Sequence, residues 1–363
     1  MTARSEYAQA EETMEESGAV LPMDSLRLNA ANVTAHGAFM ELQSHDYGSS
    51  RSKHKYERMY FPMGYPVRLR SNSPLVLEAA EKSWSCFHQL FHGEPMEILV
   101  DVGAQIGGSG ALPPAPAYTL NESLLVQIAD MDNFFITDLK KSYAMGRLTP
   151  TTVGYSRYLR YHFLESAALS LISTSRAVPV HGACVRVGGK GVLLCADSGE
   201  GKSTLAYAGA RAGWTYVSDD STYIPADRDD RLAIGNCNQI RFRPSAMEIF
   251  PELTGRPITP RAAGKPSIEI RTSELPGIST VNATRVEHLV FLNRKYADTQ
   301  ELIPLRKSAV WPWFKQHLIS PPEKRGAQEA ALSRLLDAGI FELRYKDLGW
   351  AIDRINQLVK KGN

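Results

Sequence analysis

The stretch GVLLCADSGEGKSTLAYAGARAG (191–213) decides the fold, because an apolar run leads into a glycine-bearing loop and then into an alanine-rich segment. Residues 196–203 fit the pattern Ala/Gly-x-x-x-x-Gly-Lys-Ser/Thr of a phosphate-binding loop, with a strand before it and a helix after it, as that motif requires. Gly199 and Gly201 let several backbone N–H groups point at one phosphate, and the helix N-terminus adds its positive dipole end. The stretch therefore predicts a nucleotide site in an α/β domain.

The lysine and the serine of this loop have separate predicted roles. Lys202 would reach the β- and γ-phosphates of ATP, and the Ser203 hydroxyl would take a place on Mg²⁺. A glycine turn that only caps the helix is the alternative, but it leaves unexplained a lysine at a helix start, where the dipole disfavours a cation. The predicted nucleotide contacts in the loop are Ser198, Gly199, Glu200, Gly201, Lys202, Ser203 and Thr204.

Composition limits the classes of partner. The chain has 363 residues, 43% of them apolar, which is enough for two domains with full cores. Lys plus Arg number 41 and Asp plus Glu 39, too even a balance for a nucleic-acid or membrane-surface protein. The sequence shows neither a signal peptide nor an apolar run of the ~18 residues that span a membrane. The four scattered cysteines are expected to be reduced, which predicts a cytoplasmic protein.

The chain divides into three predicted parts. Residues 1–20 are acidic without a sustained period and are expected to form a disordered tail. Residues 21–165 are expected to form a separate α+β domain of unknown role, with strands near 60–70 and 96–102 and a helix that begins at Pro74. Residues 166–363 are expected to form the catalytic domain. A long helix over residues 155–174 is predicted at the boundary by an apolar stripe of Leu159, Phe163, Ala167 and Leu171.

The second half of the chain is predicted to be α/β with a mixed sheet. Gly188 and Gly189 join two β-rich runs as a hairpin that leads into the phosphate loop. The run WTYVSDD (214–220) reads as a strand, HLVFLN (288–293) as a core strand, and the C-terminus as a strand followed by a helix.

Asp219 and Asp220 end the WTYVS strand, which is expected to be parallel to the loop strand and beside it. One carboxylate would then hold Mg²⁺, and the other would act as general base toward an attacking hydroxyl. The alternative is a turn or helix cap, because Asp-Asp-Ser-Thr is ordinary turn chemistry. His181, at the start of the hairpin, would by itself be a core or surface residue as readily as a site residue.

Taken together, PVHGACV (179–185), ADSGEGKST (196–204) and YVSDD (216–220) resemble the catalytic domain of HPr kinase/phosphorylase, a bacterial protein-serine kinase. The resemblance implies a fold related to phosphoenolpyruvate carboxykinase and ATP-dependent phosphate transfer to a serine hydroxyl. It also implies roles for three predicted site residues. Asp219 would be the acid/base, Asp220 would lie near the metal, and His181 would lie close to the transferred phosphate.

The resemblance departs from the family downstream of the loop. The family's Glu-Ile-Arg-Gly segment has as its nearest counterpart Gln239 to Arg243, and a glutamine cannot supply the carboxylate charge. Kinase activity with little phosphorolysis is therefore expected. A literal Glu-Ile-Arg occurs at 269–271, later than the family's spacing, and is the second candidate. Arg241 and Arg243 alternate in a strand-like run and are predicted phosphate contacts, with a solvated strand face as the alternative.

Three functions remain open at this stage. They are a Mg²⁺-ATP-dependent serine kinase acting on a small protein or peptide, a small-molecule phosphotransferase or carboxykinase-like enzyme with a hydroxyl-bearing substrate, and an ATP-gated binding protein without catalysis. The aspartate pair speaks against the third, because a switch needs one metal carboxylate and no base. A homo-oligomer is also left open.

Overall fold

The computed structural model describes residues 54–107, 110–260, 266–295, 299–318 and 322–361, and these belong to one compact unit, Lys53–Asn363. The predicted tail over residues 1–20 lies outside the described residues. The predicted division of the chain between residues 165 and 166 stays a prediction. In the described ranges, no helix combines the length and the apolar character that crossing a membrane requires.

The first sheet along the chain is a mixed seven-stranded sheet. Its strands are β1 (Tyr56–Tyr60), β2 (Val67–Ser71), β3 (Met96–Val102), β4 (Ala117–Asn121), β5 (Leu124–Asp130), β6 (Asn133–Asp138) and β7 (Tyr143–Leu148). They lie in the order β1-β2-β3-β7-β6-β5-β4, with β2, β3 and β7 parallel and the other neighbours antiparallel. Helix α1 (Pro74–Trp84) begins at the proline that the sequence predicts for a first helical turn.

The predicted helix over residues 155–174 is confirmed, and it contains a turn that the sequence does not announce. The helical pieces between β7 and β8 are α2 (Pro150–Gly154), α3 (Ser156–Leu159), a π-helical turn (Arg160–Leu164) and α4 (Glu165–Ser175). All four residues of the predicted apolar stripe are fully buried against the first sheet. In the π-turn the Glu165 N–H bonds to the Arg160 carbonyl. The His162 carbonyl accepts from the buried Gln127 Nε2 on β5 at 2.6 Å, so a side chain replaces a lost helix bond.

The rest of the chain forms a ten-stranded sheet and a small three-stranded one. The strands are β8 (Ala177–Val180), β9 (Gly182–Val187), β10 (Lys190–Cys195), β11 (Thr215–Ser218), β12 (Thr222–Pro225), β13 (Leu232–Gly235), β14 (Gln239–Phe242), β15 (Ile258–Pro260), β16 (Pro266–Arg271), β17 (Ser279–Thr280), β18 (Ala283–Asn293), β19 (Glu301–Pro304) and β20 (Gly339–Arg344). Strands β14, β16 and β15 form the small sheet. The helices are α5 (Lys202–Arg211), α6 (Lys307–Lys315), α7 (Pro322–Leu335) and α8 (Leu348–Lys361).

Side-chain alternation explains why the ten-stranded sheet is covered on both faces. On β10, Val192 and Leu194 pack in the core that holds α5, α8 and the small sheet. Leu193 and Cys195 pack in the opposite core, which holds α6 and α7. The predicted α/β class with a mixed sheet is therefore confirmed.

The predicted hairpin is also confirmed. Strands β9 and β10 pair antiparallel, and Gly188 and Gly189 turn between them with φ angles of 54° and 85°. Two consecutive positive φ angles match a turn of type I′, which glycine forms without steric cost. This hairpin holds β10 in place as it enters the glycine-bearing loop.

Candidate functional site

One edge of the ten-stranded sheet gathers the predicted site segments. Strand β10 is parallel to β18, and β18 is parallel to β20, so all three end at this edge. Strand β9 is antiparallel to both β10 and β11, so β11 also ends here. Because β9 starts where these strands end, His181 lies at the same edge. Ligands of open α/β sheets bind outside the carboxyl ends of the strands, so this edge is the candidate site.

The predicted placement of the aspartate strand needs one correction. Strand β11 does not lie beside the loop strand, because β9 lies between them. One edge of β10 pairs with β9 and the other with β18, so β11 joins the far edge of β9. The direction of β11 is nonetheless that of β10, and its aspartates reach the predicted edge.

The loop has the backbone that its glycines predict. Gly199 and Gly201 are left-handed, with φ angles of 92° and 93°, and α5 begins at Lys202. The Lys202 ammonium is buried and donates to the carbonyls of Ala196 at 2.7 Å and Asp197 at 3.0 Å. Burial lowers the pKa of Lys202, and the carboxylate of Asp220 is the first of the charges that oppose this shift. These two hydrogen bonds hold the Lys202 ammonium against the first residues of the loop.

The other predicted loop contacts differ in exposure. Ser198 and Gly199 are exposed, and Ser203 and Thr204 are partly buried in the first turn of α5. The Glu200 carboxylate turns toward the end of β18, where it accepts from the Arg294 N–H at 3.2 Å and pairs with Lys295 Nζ at 3.1 Å. The Glu200 side chain therefore links the loop to the neighbouring strand.

The two aspartates occupy different environments. Asp219 is 8% exposed, and its Oδ2 accepts from the Arg241 backbone N–H at 2.7 Å. Asp220 is more exposed, and its Oδ1 lies 3.4 Å from His181 Nδ1. The same ring nitrogen lies 3.1 Å from the Asp220 carbonyl oxygen, and Ser203 Oγ donates to the Asp219 carbonyl at 3.5 Å. The structure thus brings together the predicted histidine, serine and both aspartates.

A hydroxyl pair fixes the turn that carries these aspartates. Ser218 Oγ lies 2.7 Å from Thr222 Oγ1 and accepts from the Cys184 N–H at 3.2 Å. Thr222 Oγ1 donates to the Gly182 carbonyl at 2.9 Å. All of these atoms are buried, so the bonds tie both ends of the Asp219–Asp220 turn to β9.

The small sheet places the second candidate carboxylate, Glu269, on the strand that pairs with the Gln239 segment. Gln239 on β14 is opposite Arg271 on β16, and Arg241 is opposite Glu269. The Arg241 side chain pairs with Glu269 at 3.0 Å. Glu269, the second candidate for the family's glutamate, therefore stands on the strand beside Gln239. Arg243 follows β14 and is exposed, so the two predicted arginines have different surroundings.

Two further residues at this edge, His317 and Tyr345, have no sequence signal that links them to the site. His317 follows α6, with Nδ1 3.2 Å from the Trp313 carbonyl. Burial lowers the pKa of His317, and the neighbouring Lys202 ammonium adds to the shift. The Tyr345 hydroxyl is buried and has no hydrogen-bond partner among the described residues, and a Cβ on Gly201 would lie 3.1 Å from it. Isolated side chains after distant elements carry no sequence signal of a shared site.

Two residues at the edge offer oxygen atoms that could hold a metal ion together with groups of a ligand. Among the described residues, no three His, Cys, Asp or Glu side chains converge on one point. Mg²⁺ is commonly held by one or two protein oxygens together with substrate phosphates and water. The Ser203 hydroxyl and the Asp220 carboxylate supply oxygens of that kind next to the loop.

Comparison with solved structures finds the Hpr(Ser) kinase/phosphatase from Coxiella burnetii, at a TM-score of 0.30 and 15% sequence identity. The match covers 51% of this chain and 95% of that chain. No family model and no curated protein matches this chain.

Proposed function

We propose that the chain is an ATP-dependent kinase of the HPr kinase type that transfers the γ-phosphate to a serine hydroxyl of a protein or peptide. The observation that carries the proposal is the convergence of three separate motifs at one sheet edge. His181, the 196–203 loop and the Asp219–Asp220 turn meet there, although β9 and α5 separate them along the chain. A helix cap or an ordinary turn requires no such convergence.

Each residue then has a role that its position supports. The loop N–H groups and Lys202 bind the β- and γ-phosphates of ATP. To do so, the Lys202 ammonium breaks its hydrogen bonds to the Ala196 and Asp197 carbonyls and turns to the phosphates. Ser203 and Asp220 would hold Mg²⁺, which neutralises charge on the phosphates when bound. His181 lies beside Asp220 and would contact the transferred group.

Asp219 accepts the proton of the attacking hydroxyl in this proposal. The serine oxygen forms a bond to the γ-phosphorus while the bond from that phosphorus to the β,γ-bridging oxygen breaks, which leaves ADP. Asp219 suits the role because its carboxylate is held by the Arg241 N–H and its carbonyl accepts from the Ser203 hydroxyl at the end of the loop. The proposal covers transfer from ATP and not phosphorolysis, since Gln239 is uncharged and Glu269 is engaged by Arg241.

An assay with ATP labelled at the terminal phosphate, purified protein and lysate of the host tests this function. Label that enters protein and is recovered as phosphoserine supports it. Label found only in small metabolites would replace the proposal with a small-molecule phosphotransferase or carboxykinase-like enzyme. Tight ATP binding with no transfer of label would instead favour an ATP-gated binding protein.

A further inference from the structure

A group of arginines surrounds Arg241, whose backbone N–H bonds to the Asp219 carboxylate. We call Arg157, Arg160, Arg241 and Arg271 the arginine cluster; they come from α3, the π-turn, β14 and β16. On the small sheet, Ile240, Phe242, Ile268 and Ile270 pack in the core beneath. By alternation, Arg241, Glu269 and Arg271 therefore share the opposite face.

Tyr161 and Glu269 connect the two halves of the arginine cluster. The Tyr161 hydroxyl donates to Glu269 Oε1, and Arg241 Nε donates to Glu269 Oε2 at 3.0 Å. The guanidinium groups of Arg160 and Arg241 lie 5.3 Å and 5.0 Å from the centre of the Tyr161 ring. These contacts are side-chain bonds between the π-turn and the small sheet, and they give the cluster a defined geometry.

The arginine cluster carries more positive than negative charge. Arg241 pairs with Glu269, and Arg160 pairs with Glu165 at 3.4 Å. Arg157 and Arg271 are both exposed, and neither makes an ion pair with any residue in the described ranges. Arg271 lies two positions along β16 from Glu269 and on the same face, and Arg157 lies one helical turn before Tyr161, whose hydroxyl bonds to Glu269. Burial raises the pKa of Glu269, and the charges of Arg157, Arg160 and Arg271 oppose that shift. Two guanidinium groups thus remain for a ligand.

The position of these groups indicates the ligand's chemistry. Arg241 connects the arginine cluster to the site of phosphate transfer, because its side chain is in the cluster and its backbone N–H binds Asp219. A substrate whose hydroxyl reaches Asp219 would therefore pass the cluster. Small-molecule sites enclose most of their ligand, whereas Arg157 and Arg271 stand exposed on a helix and at a strand end. An extended polypeptide fits such a rim better than a small metabolite does.

We propose that the arginine cluster selects acceptor polypeptides by binding Asp or Glu side chains next to the target serine through Arg157 and Arg271. The inference rests on the proposed function, in which the serine is the phosphate acceptor, but the binding of the peptide itself requires no catalysis. Guanidinium groups bind carboxylates in a bidentate manner with directional hydrogen bonds. Exposed pairs are screened by salt, so affinity should fall as ionic strength rises.

Fluorescence anisotropy with a labelled peptide tests the proposal in the absence of ATP. The peptide has a central alanine in place of serine and glutamates on both sides, and a second peptide has glutamines instead. We expect the glutamate peptide to bind more tightly, and Arg157→Gln and Arg271→Gln each to weaken it by roughly 5- to 10-fold. Arg285→Gln is the matched control, because Arg285 is exposed near the opposite end of β18 and should retain the affinity.

Charge reversal separates recognition from a structural role. The double variant Arg157→Glu with Arg271→Glu should lose the glutamate peptide and gain binding of a lysine-flanked one, which a misfolded protein would not do. Equal binding of the glutamate and glutamine peptides by the wild type would overturn the inference. So would a double variant that melts like the wild type and keeps its preference for glutamate.

Serine versions of the same peptides distinguish this inference from the proposed function. Tight binding of the glutamate peptide without label transfer would leave the arginine cluster's role standing and remove the kinase. Equal transfer of label, at equal KM, to the glutamate and glutamine serine peptides would leave the kinase standing and remove the selection.

Discussion

The 196–203 loop and the arginine cluster lie on either side of Asp219 and are built in opposite ways. The loop is one continuous segment whose binding groups are backbone amides, one lysine and one hydroxyl. The arginine cluster consists of side chains from segments far apart in the chain, and its central bond joins Tyr161 to Glu269 across 108 positions. The first depends on local backbone conformation, and the second depends on the packing of α3 and the π-turn against the small sheet.

Because of this difference, we expect substitutions in the two regions to impair different kinds of binding. A change in the loop should remove nucleotide binding and leave the affinity for acidic peptides as it is. A change in the arginine cluster should weaken the peptide and spare the nucleotide. Asp219 lies between the two regions, so its substitution should abolish phosphate transfer and leave both nucleotide binding and peptide binding intact.

The largest effect is expected for Lys202→Ala. The variant loses the cation that neutralises the β- and γ-phosphates, so turnover should fall by ~10³-fold or more and ATP affinity should fall with it. ATP titration by calorimetry and the label-transfer assay measure the two losses, and Lys360→Ala on the exposed end of α8 is the control. If ATP still binds with wild-type affinity, the loop does not hold phosphate.

Asp219→Asn should have the next largest effect. The amide oxygen can still accept from the Arg241 N–H, but the basicity is lost, so we expect turnover to fall by ~10² or more. ATP and acidic-peptide affinities measured on the same variant should stay within a few-fold of the wild type. A variant with full turnover would move the base to another residue, and Asp220 would be tested first.

The two regions also differ in how far sequence reasoning reaches them. The loop, the hairpin and the strand that precedes the aspartates depend on neighbouring residues, and all were predicted. The strand order was wrong at one point, because no local signal states that β11 joins β9 rather than β10. Which strand edge is still unpaired depends on the whole sheet.

The arginine cluster, apart from Arg241, could not be predicted either, because no local signal states which distant segments pack together. Arg157, Arg160 and Tyr161 occupy the polar side of a predicted helix, where such residues usually face solvent. Their role depends on the pairing of β14 with β16, and on the π-turn that redirects the helix. In the sequence Glu269 stands out only as a motif match at an unexpected spacing, and the sheet register explains its position.

Gln127→Met tests whether the π-turn supports the arginine cluster. The substitution keeps the volume but removes the donors to the His162 carbonyl at 2.6 Å and to Ser166 Oγ at 3.0 Å. A buried carbonyl without a partner costs about 1–3 kcal/mol, so the free energy of unfolding should fall by that amount in urea titrations. Gln357→Met on the exposed face of α8 is the control.

The same Gln127 variant should also lose several-fold in acidic-peptide affinity and keep its affinity for ATP. Reduced stability with an unchanged peptide affinity would mean that the position of Arg157 does not depend on the π-turn. The contrast between a local loop and a packing-dependent cluster would then no longer hold.

The smallest effect is expected for Tyr161→Phe. The ring stays in place for Arg160 and Arg241, and only the hydroxyl that donates to Glu269 is lost. The Glu269 carboxylate then draws more on Arg157 and Arg271 and so competes with the peptide carboxylates for these two guanidinium groups. Peptide binding should therefore weaken by about 0.5–1 kcal/mol, or a few-fold in Kd. Tyr155→Phe removes an exposed hydroxyl of the same helical segment and should leave Kd unchanged. Tighter peptide binding in Tyr161→Phe would contradict this order of effects, because it would mean that Tyr161 holds Glu269 where it repels the acidic ligand.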